Sequence, residues 1–204
     1  MDAKAIRYKF GDDFIVNNHT FKMGIHHRFT EHVAERFRGH NVLETCTGAG
    51  FTTISLARVA AQVITVEINP LHQEQARRNI AKANLSEKVT FISGDILDEN
   101  LLRVLPSVDA AFLDPDWADT EPDHQYRFIN SNTLPPADVL LERIFHITEN
   151  VALVMPPRVE VQEFSQLPVN EREKLYLDGN HELFSLYFGD LIKKIGETEF
   201  RVTT

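Results

Sequence analysis

The stretch that decides the fold runs from Val42 to Ala57 and reads VLETCTGAGFTTISLA. It begins with an apolar pair that leads to the acidic Glu44, and a turn containing Gly48 and Gly50 follows. Beyond the turn, apolar residues recur at helical spacing. This order predicts a strand, a tight turn and a helix, which is how a nucleotide-binding α/β domain opens.

A second apolar run lies about twenty residues beyond the turn, where such domains place an acidic residue on the ribose of a nucleotide. It reads Val63-Ile64-Thr65-Val66 and ends in Glu67. A carboxylate at this position can accept two hydrogen bonds from the ribose diol. Glu67 and the adjacent Ile68 are therefore predicted to bind a nucleoside cofactor.

The glycine pattern narrows the identity of that cofactor. A dinucleotide-binding turn would have a third glycine near Thr53, and none is present there. The carboxylate of Glu44 instead suits a ligand that carries an ammonium and a sulfonium group. We therefore expect S-adenosylmethionine rather than NAD. The alternative is that the two glycines only form a βα turn in another kind of α/β protein. The residues predicted to hold the cofactor around this turn are Glu44, Thr45, Cys46, Gly48, Gly50 and Phe51.

Length and composition limit the classes of protein that are compatible with this chain. With 204 residues, of which 43% are hydrophobic, one domain is expected. The net charge of −9 argues against a large phosphate-binding surface. Residues 1–41 carry seven Lys or Arg against five Asp or Glu, so a local anion-binding edge and an ordinary solvated face both stay open.

Several further properties are expected from what the sequence lacks. No apolar run reaches membrane-spanning length, and the first residues lack the profile of a secretory signal, so a cytoplasmic location is expected. The single cysteine, Cys46, cannot form an internal disulfide. No spacing typical of metal ligands is present, so no metal site is predicted. The pattern does not indicate an oligomeric state.

The remaining motifs before position 108 extend the same α/β pattern. Residues 1–28 are predicted to be a loose segment with short extended pieces that contributes to the edge of the active site, and residues 29–204 to be the main domain. Thr30 is expected to cap a helix over 31–37, and Pro70 to open a helix over 71–83. A third strand over 89–92 leads to Asp95 and Ile96, which are predicted to bind adenine. The alternative is that Asp95 caps a helix over 96–102.

The second informative stretch follows a buried strand over 108–113 and reads Asp114-Pro115-Asp116-Trp117. Asp114, Pro115 and Trp117 are the candidate catalytic residues, because a carboxylate can hold an amino group and an indole ring can stack on a base. The alternative is a turn at the strand end with a core tryptophan. Residues 118–136 are predicted to be a substrate loop. A helix over 137–147, a strand over 151–155, a short helix over 160–167 and an antiparallel sheet edge near the end complete the pattern.

With these motifs identified, the chain resembles the trimethylguanosine synthase family, the RNA cap guanine-N2 methyltransferases, and their prokaryotic relatives. The resemblance covers about Phe29 to Ile192. It rests on the turn over 42–57, on Val66-Glu67-Ile68-Asn69-Pro70, and on Phe112-Leu113 followed by a proline and Trp117. More specific matches are Ile147-Thr148-Glu149-Asn150-Val151 and Tyr187-Phe188-Gly189-Asp190-Leu191-Ile192. Where the family usually has a second proline, this chain has Asp116.

The resemblance implies the fold and the activity that we expect. The fold is the Rossmann-like α/β fold of class I methyltransferases, with a mostly parallel seven-stranded sheet and helices on both faces. The activity is methyl transfer from S-adenosylmethionine to an amino nitrogen, the exocyclic amine of a purine in RNA or in a nucleotide. The negative charge of Asp116 leaves a small cationic or neutral metabolite open as the acceptor. A non-catalytic module that keeps the fold for binding is the third alternative.

Overall fold

The computed structural model describes residues 2–117 and 124–204. The chain forms two compact units, unit 1 over Met1–Asp109 and unit 2 over Ala110–Thr204. Each unit has its own strands and helices. We therefore describe each unit separately.

Unit 1 contains three parallel strands in the order β3-β2-β1. Val42 of β1 pairs with Val63 of β2, and Val63 pairs with Val89 of β3. The register places the carboxyl ends of the three strands at one edge. The elements are α1 (Ala3–Phe10), α2 (Asn18–Met23), α3 (His27–Ala34), β1 (Asn41–Thr45), α4 (Phe51–Val59), β2 (Gln62–Glu67), α5 (Pro70–Lys82), β3 (Val89–Ser93) and α6 (Glu99–Val104).

The predicted strand, turn and helix at the start of the domain are confirmed. β1 and β2 are buried over their whole length except for the first residue, which explains their nearly continuous apolar sequence. Asn69 caps α5, Pro70 occupies its first turn, and Asn84 beyond its end has a positive φ of 59°. The predicted opening of this helix at Pro70 is confirmed, and Asn69 adds a cap that was not predicted.

Three predictions about local structure in unit 1 are wrong. Residues 3–23 contain two helices rather than extended pieces, and Asp2 and Asn17 cap them. The next helix begins at His27, and His26 caps it. Thr30, the predicted cap, lies inside this helix and hydrogen-bonds to the His27 carbonyl and to Ser55. Residues 96–98 are not helical, since α6 starts at Glu99 and Asp98 caps it.

Unit 2 contains five strands in the order β4-β5-β7-β6-β8. β4 and β5 are parallel, β7 is antiparallel to both of its neighbours, and β8 is parallel to β6. The predicted antiparallel edge is therefore confirmed for the pairings of β7 and is wrong for β8, which runs parallel to β6. The elements are β4 (Ala110–Leu113), α7 (Ala137–Phe145), β5 (Val151–Met155), a 3₁₀ helix (Val161–Gln166), β6 (Glu171–Leu177), β7 (Asn180–Tyr187) and β8 (Gly196–Val202).

The predicted fold class is confirmed as α/β with mostly parallel pairing. The described residues form eight strands, where seven were predicted. The predicted loop over 118–136 lies partly outside the described residues, and its described part, 124–136, has no helix or strand. Within the described ranges, no helix combines the length and the hydropathy needed to cross a membrane.

Candidate functional site

The turn between β1 and α4 has an unusual backbone conformation. Cys46, Gly48 and Gly50 all have positive φ values, of 62°, 54° and 82°. For Cys46 this conformation costs about 1–2 kcal/mol, because its Cβ crowds the backbone. The Cys46 amide donates to the Val66 carbonyl at 3.0 Å, which fixes the start of the turn to β2. Strained residues of this kind cluster at ligand-binding sites.

Gly48 and Gly50 differ in the space around the position that a Cβ would occupy. A Cβ on Gly50 would lie 3.1 Å from Cβ and 3.2 Å from Cα of Ala76, so α5 packs against the turn. A Cβ on Gly48 would meet nothing within 4 Å among the described residues. The turn is therefore closely packed at Gly50 and open at Gly48, where space remains for a ligand.

Glu44 lies almost completely buried at the end of β1, with 2% of its surface exposed. Its Oε2 accepts hydrogen bonds from the hydroxyls of Thr53 at 2.5 Å and Thr65 at 2.6 Å. The pKa of Glu44 is raised to about 7, mainly by desolvation and to a smaller extent by the neighbouring Glu67, while the hydrogen bonds from Thr53 and Thr65 act in the opposite direction. A cation that reached this carboxylate would favour its ionised form.

Glu67 fixes the same turn from the end of β2. Its Oε2 accepts from the Gly48 amide and its Oε1 from the Asn69 amide, both at 2.8 Å. Each carboxylate oxygen has a second lone pair, so ribose hydroxyls could still be accepted. Glu67 is 6% exposed, which means that it contacts the glycine turn closely and has little solvent around it.

The third strand end contributes Asp95 and Ile96. Ser93 pairs with Glu67 in the sheet, and the Gly94 amide donates to the Glu67 carbonyl, so these residues lie beside the end of β2. Asp95 is exposed, and its Oδ1 accepts from the Leu97 amide at 2.8 Å. Its alternative role as the cap of a helix at 96 is wrong, because that helix starts later.

The predicted cofactor residues differ in how accessible they are. Ile68 is 68% exposed, whereas Ile96 is buried. Thr45 is completely buried, and its hydroxyl has no hydrogen-bond partner among the described residues. Phe51 stacks on Phe10 with ring centroids 3.6 Å apart, so its ring belongs to an apolar cluster. Direct cofactor contact by each of these residues stays a prediction.

Three residues that hold this turn were not predicted from the sequence. Thr53 and Thr65 donate to Glu44, and Asn79 donates to the Ala49 carbonyl at 2.9 Å. Thr65 is the register partner of Glu44 in the sheet, so the parallel pairing of two predicted strands could have suggested it. Asn79 had no comparable signal, because its contact depends on how α5 packs.

Unit 2 contains the predicted acceptor motif directly after β4. Asp114 and Trp117 are half-buried, and Pro115 is buried. Asp116 and Leu134 exchange two backbone hydrogen bonds of 2.8 Å, which holds the motif against the far end of the loop. Asp114 belongs to unit 2, and its place beside Glu44, Glu67 and Asp95 stays a prediction.

Tyr126 supports Trp117 from the described part of the loop. Its hydroxyl donates to the Trp117 carbonyl at 3.0 Å, and the two rings meet edge to face at 6.4 Å. The next residues are held by Glu163, which accepts from the Arg127 side chain and from two backbone amides at 2.8 and 2.9 Å. Desolvation opposes ionisation of Glu163, but the hydrogen bonds outweigh it and lower its pKa. The described loop is therefore anchored rather than loose.

Residues 39–188, most of the chain, match the family described as RNA cap guanine-N2 methyltransferase. The chain belongs to this family. The resemblance found in the sequence is therefore confirmed.

Relatives and solved structures are consistent with the methyltransferase fold. A catechol O-methyltransferase from Mycobacterium tuberculosis is 36% identical over 87 residues, which are 41% of this chain and 40% of that protein. A tRNA1(Val) (adenine(37)-N6)-methyltransferase from Porphyromonas gingivalis is 39% identical over 61 residues, 29% of this chain and 24% of that protein. A "putative methyltransferase" structure from Porphyromonas gingivalis W83 has a TM-score of 0.73 at 16% identity, covering 91% of this chain and 47% of that one.

The match to this chain thus covers less than half the length of each of these proteins. The structural likeness, at this level of identity, concerns the fold.

Proposed function

We propose that the chain is an S-adenosylmethionine-dependent methyltransferase that methylates an amino nitrogen, the exocyclic amine of a purine in RNA or in a nucleotide. The observation that carries this proposal is the family match over residues 39–188, which includes both the glycine turn and the acceptor motif. The tRNA adenine-N6 methyltransferase among the relatives supports an amino nitrogen as the target.

The residues around the turn fit this cofactor. The open space at Gly48 leaves room for a ligand against the backbone. Glu44 is a buried carboxylate whose charge a bound cation would stabilise, which suits the ammonium group of the methionine part. Glu67 would accept hydrogen bonds from the ribose, and Asp95 from the adenine amino group. When bound, the cofactor supplies a methyl group on a positively charged sulfur.

The acceptor motif would position the nitrogen that receives the methyl group. Trp117 would stack on the purine, and the edge-on packing of Tyr126 would hold the indole in place. Asp114 and the carbonyls around Pro115 would accept hydrogen bonds from the amine, and Asp114 would receive the proton that the nitrogen loses. An aromatic amine is a poor nucleophile, so alignment supplies most of the rate enhancement.

A small-molecule acceptor is the second candidate. It is favoured by the catechol O-methyltransferase relative and by the net charge of −9, which opposes binding to polyphosphates. Salt separates the two candidates. Turnover on RNA should fall steeply with rising salt, whereas turnover on a small molecule should change little.

Labelled S-adenosylmethionine offered with separate pools of RNA, nucleotides and small metabolites tests the proposal. We expect label in the RNA or nucleotide pool, on the exocyclic nitrogen of a purine after digestion to nucleosides. Label on an oxygen of a metabolite would favour the second candidate. Absence of binding to S-adenosylhomocysteine at millimolar concentration would contradict both and favour a non-catalytic binding module.

A further inference from the structure

Asn79 connects two segments of unit 1 that are far apart in the sequence. It lies completely buried on α5. Its Oδ1 accepts from the Ile15 amide at 2.7 Å, and its Nδ2 donates at 2.9 Å to the carbonyls of Ile15 and Ala49. Ile15 belongs to the N-terminal segment, and Ala49 stands between the two glycines of the turn. One side-chain amide therefore holds both backbones.

Aromatic packing joins the same two segments. The Phe10 ring stacks on Phe51, the first residue of α4, with an interplanar angle of 13°. Gly24 approaches so closely that a Cβ would lie 2.6 Å from Phe10 and 2.8 Å from Phe51. Phe14 completes an apolar cluster that also includes Ala49. The N-terminal segment, residues 3–24, thus packs against the start of the helix that the turn opens.

The hydrogen bond from Asn79 to the Ala49 carbonyl helps to fix the backbone conformation of the glycine turn. A buried carbonyl that loses its partner is costly, so the direction of this peptide group depends on the Asn79 donor. The turn also holds Cys46 at a positive φ, which persists only where the surroundings determine it. A change at Asn79 would therefore alter the conformation that receives a ligand.

We propose that Asn79 is a positioning residue for the glycine turn, and that through it the N-terminal segment and the bound cofactor stabilise each other. This inference rests on the proposed function, because it concerns the cofactor of that site. Coupling between two sites is reciprocal. Docking of residues 3–24 therefore raises cofactor affinity, and the cofactor holds residues 3–24 in place to the same extent.

Calorimetric titration with S-adenosylhomocysteine tests the positioning role. Asn79→Asp keeps an oxygen that can accept from the Ile15 amide but removes the donor to the carbonyls of Ile15 and Ala49. We expect its dissociation constant to be about tenfold higher than that of the unsubstituted protein, because the Ala49 carbonyl in the turn loses its buried hydrogen bond. Val63→Ala is the matched control, because Val63 is buried at the end of β2 opposite to Glu67. It should lower stability and leave the affinity within about twofold.

Hydrogen exchange on the unsubstituted protein tests the coupling without any substitution. The Ile15 amide, which donates to Asn79, should exchange about tenfold more slowly when S-adenosylhomocysteine is bound. Slower exchange at Gly48 and Gly50 with no change at Ile15 would overturn the inference, and so would normal affinity in Asn79→Asp. If the unsubstituted protein does not bind S-adenosylhomocysteine, the proposed function fails and the inference with it. If Asn79→Asp does not fold, the exchange result decides.

Discussion

Replacing Glu44 with glutamine should remove a large part of the pH dependence of stability. Burial raises the pKa of Glu44 to about 7 in the folded protein, from an ordinary value of 4.5. Because the pKa of Glu44 is higher in the folded protein than in the unfolded chain, its protonated form adds to the free energy of unfolding at low pH. This contribution is lost as pH rises through 7. Between pH 5 and pH 8 the loss amounts to about 2–3 kcal/mol, at about 1.4 kcal/mol for each pKa unit.

The assay is urea unfolding of both proteins at several pH values, with the difference in unfolding free energy plotted against pH. All other titrating groups are common to the two proteins and cancel in this difference. The glutamine side chain is uncharged but keeps an oxygen that can accept from Thr53 and Thr65. We expect the unfolding free energy of Glu44→Gln, measured relative to that of the wild type, to rise by about 2–3 kcal/mol between pH 5 and pH 8.

A second substitution should extend the pH dependence instead of removing it. Thr53→Val removes one of the hydrogen bonds that lower the pKa of Glu44. The pKa should then rise further, so stability should continue to fall beyond pH 8. A free-energy difference between Glu44→Gln and wild type that stays constant from pH 5 to pH 8 would refute the reasoning, because it would mean that Glu44 ionises normally in the folded state.

Three further substitutions test the turn, the acceptor motif and the loop. Gly50→Ala should lower the free energy of urea unfolding by about 2–4 kcal/mol, because its Cβ would crowd Ala76. The control Gly39→Ala should cost about 1–2 kcal/mol, because Gly39 has a similar φ of 79° and nothing near its Cβ in the described residues; equal costs would exclude the contact with Ala76. Trp117→Ala should weaken acceptor binding by about 1–3 kcal/mol while calorimetry shows normal affinity for S-adenosylhomocysteine; loss of both would contradict the assigned roles. Glu163→Gln should lower the unfolding free energy by about 1–2 kcal/mol at pH 7, because it weakens charge-assisted hydrogen bonds to a partner, Arg127, whose side chain is 57% exposed. This difference should shrink as pH falls below 4.5, since a lowered pKa contributes its full stability above the ordinary value and loses it as pH falls through the folded value.

Local patterns in the sequence were sufficient for the central elements of unit 1. β1 and β2 are buried parallel strands, and such strands have continuous apolar sequences that can be recognised without a structure. The start of α5 was predictable from Pro70, because a proline suits the first turn of a helix and acts on the backbone locally. The positions of Glu44, one residue before the end of β1, and of Glu67, the last residue of β2, followed from the predicted strands. The family match confirms the fold class that these elements indicated.

The short N-terminal helices could not be predicted in the same way. α1 has eight residues and α2 has six, and helices of this length are not stable by themselves. They form because Phe10 of α1 is buried in a cluster with Phe51 and with Ala76 and Ile80 of α5, and because Phe21 of α2 packs against the same cluster. No period within residues 1–28 indicates that contact, so the segment was predicted to be loose.

The sequence by itself determined which residues end the strands and make the glycine turn, because those signals act over a few neighbouring residues. Only the tertiary structure decided how the turn is held. Asn79 and Ile15 are 64 positions apart, and Thr65 reaches Glu44 over 21 positions. Such contacts exist because helices and strands pack at one place in space, and the free energy of a buried carboxylate or carbonyl depends on the neighbours that packing brings to it.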